Sequence, residues 1–268
     1  MGGAYLSAFH GAGQTPADVR PYEPGDDVRA IDWNVTARLG QPYLKRHVAE
    51  RELSLLLIVD ISGSMEFGSR GPGKRGVAAD LAAVLAFAAL AHGDRVGLIL
   101  VSDRIEHAVP PRKGLRHGQR LLRDLLYFRA ARRGTDLGAA MDRVRRGQRR
   151  RAIVVLISDF ADDVDPTPLR RLGRRHDLVA IRVRDPLEAA LPDAGCLELI
   201  DAESGRRALI DSGSPAVRAE YARRAAQRDD AWRSMMSAAN AEVLETTTAG
   251  DHLDALVRWI RRRRRRRS

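Results

Sequence analysis

With 268 residues, 44% of them hydrophobic and 30% charged, the chain has the length and balance of a soluble globular protein with one large domain or two small ones. One cysteine, Cys196, excludes an intramolecular disulfide framework, suits a reducing compartment and reads as a buried or half-buried small residue. Net charge is +11, but residues 261–267 are seven arginines, so the rest carries 11 − 7 = +4 and the basicity is mostly terminal.

Residues 1–22 are Gly-rich and lack the apolar segment of a signal peptide. The longest apolar stretch, 77–91, is Ala-rich, contains Asp80 and is too short to span a bilayer. The expectation is a cytoplasmic protein without a membrane span. Residues 1–50 form a Gly-, Pro- and charge-rich region with turn chemistry over 20–27 and short elements over 28–34 and 42–48. It is too small for a core of its own and is expected to pack on the larger domain C-terminal to it. There, Asp26, Asp27, Arg29, Asp32 and Trp33 read as an acidic turn, an arginine bridging to it and an aromatic anchor.

From Leu53 strands and helices alternate. The run 53–60 is apolar throughout, as a strand buried on both faces requires. The pattern then predicts a buried helix over 76–92, strands over 95–102 and 104–109, and amphipathic helices over 118–128 and 137–145. An apolar strand comes next at 152–158, and Asp165-Pro166 opens a helix running to about 176. A strand over 178–184, a pair at 196–201 and 207–210 around Glu203-Ser204-Gly205, a long helix from Ser214, a strand over 242–246 and a helix over 251–260 complete the series. The fold class is therefore α/β: an open, mostly parallel sheet with helices on both faces. The division is 1–50, 51–260 and a disordered poly-Arg tail over 261–268.

In such sheets ligands sit at the carboxyl ends of strands. Asp60, Ser62 and Ser64 come after the first buried strand, Thr135 and Asp136 lie in a loop before a helix, and Ser158 and Asp159 end a later buried strand. Brought together, they make an all-oxygen set suited to Mg²⁺ or Mn²⁺, with too few protein ligands for six positions. A remaining position can take water or a carboxylate from another molecule. The bland alternative is that Asp60 and Ser64 merely cap the next helix, and Asp136 serves equally as a ligand or as a helix N-cap.

Asp60-Ile61-Ser62-Gly63-Ser64 resembles the D-x-S-x-S motif of von Willebrand factor A domains, and Thr135 and Asp159 match that site's two later residues in order. The resemblance implies an adhesion-type metal site in which Ser62, Ser64 and Thr135 bind directly, Asp60 and Asp159 act through water, and a partner's Glu or Asp completes the shell. Residues 22–34, with Lys45-Arg46 and Glu50-Arg51-Glu52-Leu53, are similar to a bacterial family, domain-of-unknown-function family fifty-eight. That resemblance covers nearly the whole chain and implies a protein partner, a MoxR-type AAA+ ATPase or its client.

The segment 71–76 satisfies G-x-G-x-x-G, and 68–75 comes within one residue of a P-loop, with Arg75 where Ser or Thr is needed. Both read as a loop flanking the metal site rather than a nucleotide cradle. No zinc spacing or nucleophile elbow is present in the sequence, so the expectation is a binding module, not an enzyme. A metal-dependent hydrolase would have to use Asp159 or Asp163 as base. Asp162, Asp163 and Asp165 read as a solvated loop plus an N-cap, and His92, His117 and His176 as exposed helix-end residues. The arginine run offers a third reading, salt-sensitive binding of nucleic acid or an acidic surface.

Overall fold

In the computed structural model, which describes residues 19–45, 53–69, 71–131, 134–162 and 164–267, the first elements are short. Strand β1 (Val19–Pro21) pairs antiparallel with β2 (Tyr43–Lys45), and between them lie a 3-10 turn (Val28–Ala30) and helix α1 (Trp33–Leu39). The acidic residues here are turn and cap groups: Asp27 accepts from Arg29 N at 2.9 Å, and Asp32 accepts from Asn34 N at 3.1 Å. The arginine that bridges Asp26 is Arg20, at 2.5 Å, rather than Arg29. Trp33, expected as an anchor, is 67% exposed on the first turn of α1. The family-like residues 46–52 lie outside the described part of the chain.

The apolar run is β3 (Ser54–Asp60), and every residue from Leu55 to Asp60 is buried. Around it the chain adds α2 (Gly73–Ala91), β4 (Arg95–Val101), β5 (Ile105–Arg112), α3 (Leu115–Tyr127), α4 (Leu137–Gly147) and β6 (Ile153–Ser158). Helix α5 (Pro166–Arg175), β7 (Asp177–Arg184), the hairpin β8 (Cys196–Ile200) and β9 (Arg207–Asp211), α6 (Pro215–Ala238), β10 (Glu242–Thr247) and α7 (His252–Arg267) come after it. The main sheet has the order β10-β7-β6-β3-β4-β5, parallel except for the edge strand β5. Hairpin β8–β9 is a separate two-stranded sheet.

Side-chain alternation along β3 builds two cores. Leu55, Leu57 and Val59 pack with α2, α3 and α7 on one face; Leu56 and Ile58 pack with α4, α5 and α6 on the other. With both faces covered, no position on the strand is left for a polar side chain until its end. Each fully buried leucine contributes about 1.5–3 kcal/mol relative to exposure. From β3 the chain moves outward to β4 and β5, then returns to place β6 on the other side of β3. The strand order therefore reverses at β3 and β6, and their carboxyl ends flank the crevice where such sheets bind ligands.

Three expectations are corrected. The arginine run continues α7 as helix to Arg267 instead of forming a disordered tail, because Arg263 is buried between Asp177 and Glu242 and over the Trp259 ring. Cys196 is exposed, since β8 lies in the outlying hairpin. His176 is buried at the end of α5, its Nδ1 accepting from Ala152 N at 3.3 Å. Among the described residues no helix is long and apolar enough to cross a membrane.

Candidate metal centre

Asp60 ends β3 with its carboxylate fully buried. Oδ1 accepts from Ser62 N at 2.9 Å, and Oδ2 accepts from Ser158 Oγ at 2.5 Å. Ser158, at the end of neighbouring β6, also takes a bond from Phe160 N at 2.9 Å, so one hydroxyl joins the two strand ends. The turn closed by Asp60 brings the Ser62 and Ser64 hydroxyls to 3.1 Å from each other. Burial, and next the negative charge of Asp159, push the Asp60 carboxyl up to about 6 against the pull of its hydrogen bonds. Two acids, Asp60 and Asp159, are thus crowded together at one buried strand end.

Asp159 has an internal partner. Lys74, on the first turn of α2, is fully buried and donates to Asp159 Oδ2 at 2.5 Å and to Glu188. Burial alone would discharge the amine, but the charges of Asp159 and Glu188 outweigh it and raise its pKa. Glu188 is set by a capping box with Asp185, whose carboxylate also binds Ser69 and Thr248. The Gly-rich loop delivers Lys74: a Cβ on Gly68 would stand 2.4 Å from Gly73 Cα, and Gly71 and Gly73 have φ of 63° and 67°. Those glycines, read as nucleotide-like in spacing, serve a tight turn. Beyond Asp159, Phe160 takes φ 51°, a strained value for a bulky residue, and Arg182 Nε holds the Asp159 carbonyl at 3.1 Å.

Thr135 arrives from the loop ahead of α4. Asp136 N donates to Ser102 O at 2.6 Å, fastening that loop to the end of β4, the other neighbour of β3. The Asp136 side chain accepts from Ala139 N at 3.0 Å, which settles it as the N-cap. Thr135 Oγ1 donates to Glu203 Oε1 at 2.7 Å, from the tip of the β8–β9 hairpin. The Glu203 carboxyl is pushed up to about 7, chiefly by burial and then by Asp162 and Asp60, while the Thr135 bond pulls the other way.

The five predicted residues thus fall at the carboxyl end of the sheet's interior strands. Ser62 and Ser64 are paired, Asp60 orients Ser62, Thr135 is tied to Glu203, and Asp159 is tied to Lys74. Among the described residues no three His, Cys, Asp or Glu side chains form a metal-holding group. The donors are hydroxyls flanked by Asp60 and by Asp159, the latter paired with Lys74, and an all-oxygen set of this kind is chemically suited to Mg²⁺. The sequence does not mark Lys74, Glu188 or Glu203 as site residues: Lys74 lies within the G-x-G-x-x-G segment 71–76, and a hairpin tip reaching back 68 residues leaves no local signal. The base that a hydrolase would use, Asp159, is engaged by Lys74, and Asp163 lies outside the described residues.

The family model described as "Protein of unknown function DUF58" matches residues 18–231. The uncharacterized protein Rv1480 of Mycobacterium tuberculosis is 39% identical over 269 residues, covering 98% of this chain and 84% of the relative. Among solved structures, the conserved hypothetical protein BatB from Bacteroides thetaiotaomicron aligns over 80% of this chain and 99% of its own, with TM-score 0.52 and 16% identity. The VWA domain of SpRpn10 covers 76% of this chain and 94% of its own at 12% identity and TM-score 0.46. The likeness to BatB shows the fold, a mostly parallel six-stranded sheet with helices on both faces.

Proposed function

Because the chain belongs to the DUF58 family, we propose that it is a protein-interaction module whose contact point is a divalent cation, Mg²⁺ or Mn²⁺, and whose partner contributes an Asp or Glu carboxylate. One observation carries this reading. The Ser62 and Ser64 hydroxyls are paired beside Asp60, a buried carboxyl held up to about 6 by its surroundings, at the point where the strand order reverses.

When bound, the cation supplies a position that a carboxylate oxygen can occupy. The chain's own residues prepare that position. Ser62 and Ser64 present hydroxyl oxygens, Asp60 fixes the Ser62 backbone, and Thr135 presents a third hydroxyl from the α4 side. Asp159 serves from behind, its carboxylate steadied by Lys74 and its backbone by Arg182. The resemblance of residues 22–34 to its family extends the reading to the partner, a MoxR-type AAA+ ATPase or the client it remodels. An exposed free Cys196 agrees with work in a reducing compartment such as the cytoplasm.

Calorimetric titration with Mg²⁺ and Mn²⁺ tests the site. The native chain binds with one-site stoichiometry, and Asp60→Ala abolishes the signal. Absence of binding by the native chain, or equal binding by Asp60→Ala, refutes it.

A further inference from the structure

We propose that Glu203 is the site's own acidic ligand: the β8–β9 hairpin places in cis the carboxylate that a partner would otherwise supply, and a partner must displace it. This rests on the reading of the strand end as a cation site.

Glu203 lies 68 residues from Thr135 and still meets its hydroxyl at 2.7 Å. The hairpin tip is seated on that loop, since a Cβ on Gly134 would come 3.9 Å from Glu203 Oε2. The tip is built to hold its shape: Asp201 Oδ1 accepts from Glu203 N at 3.2 Å and from Ser204 N at 2.6 Å, and Gly205 turns the chain with φ 70°. At the other end Ser212 clasps Gly195, its backbone N donating to Gly195 O at 2.7 Å. Base and tip are thus each defined, while neither strand pairs with the main sheet. A hairpin attached in this way can lift its tip without breaking the sheet.

The direction in which Glu203 leans is informative. The same turn carries Arg206 and Arg207, and Glu198 takes the ordinary option by pairing with Arg207 at 3.2 Å. Glu203 turns inward instead, toward Thr135, Asp162 and the Asp60 charge. Placing a carboxylate among carboxylates is costly unless a proton or a cation stands between them, and a bound cation would take the proton's place. A glutamate arranged this way has the position and chemistry of the missing acidic ligand.

The test uses Mn²⁺ as probe and reads water-proton relaxivity per bound ion, which scales with the water molecules on the metal. With two or three hydroxyls and Glu203 on a six-position ion, three or two places are left for water; removing Glu203 adds one, a rise of about 1.3- to 1.5-fold. Glu203→Ala is expected to show that rise and weaker Mn²⁺ binding, and Glu198→Ala on the same hairpin to match the native chain. Relaxivity of Glu203→Ala equal to native, with Mn²⁺ still bound and still lost in Asp60→Ala, overturns the role of Glu203 alone. A native chain that binds no Mn²⁺ overturns the cation site and this inference together.

Discussion

Replacing Lys74 with Met isolates the part of the site that is already neutralised within the chain. The Lys74 side chain is 0% exposed, Asp159 4% and Glu188 30%. Met keeps the length and the packing under α2 but removes the charge. Glu188 can then turn to water, whereas Asp159 stays buried beside Asp60 with its other bonds, including that from Ala161 N at 3.1 Å. Breaking a buried pair by deleting one partner costs about 3–5 kcal/mol, because the orphaned charge dominates the loss. The partial exposure of Glu188 places the expected cost near the lower end, about 3 kcal/mol. Urea denaturation in chelator measures it. The double variant Lys74→Met with Asp159→Asn should recover most of that loss, since the charge that Lys74 neutralised at Asp159 is then absent. A single variant within about 0.5 kcal/mol of native, or a double variant no better than the single one, would refute the reasoning.

Two other buried groups give measurable outcomes. Burial, then the charges of Arg175 and Arg151, push His176 down from 6.5 to about 4. The unfolded chain therefore takes up a proton below pH 6.5 that the folded one refuses until about 4, so this contribution is present above 6.5 and lost as pH falls through that window. Its size is about 3 kcal/mol at 1.36 kcal/mol per pKa unit, and urea unfolding of His176→Gln should show a correspondingly flatter acid limb; an unchanged limb counts against it. In α7, Arg263→Ala should cost about 3 kcal/mol, because the ion pairs of the buried guanidinium with Asp177 and Glu242 are lost. Arg265→Ala, exposed on the same helix, should stay within about 0.5 kcal/mol. Equal losses by urea unfolding would return the arginine run to the status of a tail.

Much was legible from local order. An unbroken apolar run such as 55–59 has one comfortable place, the middle of a sheet covered on both faces, and Asp60, Ser62 and Ser64 then fall at its carboxyl end. Asp165-Pro166 announced its helix in the same direct way, the aspartate accepting from Thr167 N at 2.8 Å. These features depend on neighbours in the chain, and such dependence is written in spacing. The charge partners depend on neighbours in space. Lys74 and Asp159 are 85 residues apart, Thr135 and Glu203 68, and Arg263 and Asp177 86. An arginine run is the same string whether it frays in water or lays one guanidinium between two acids. A glutamate in a Glu-Ser-Gly turn is an ordinary turn residue until the hairpin is folded over. Sequence alone thus determined the sheet and the three oxygens that open the strand-end motif. Only the tertiary structure decided which buried charges are answered within the chain, because a Coulomb interaction is set by distance through the fold and carries no period along it.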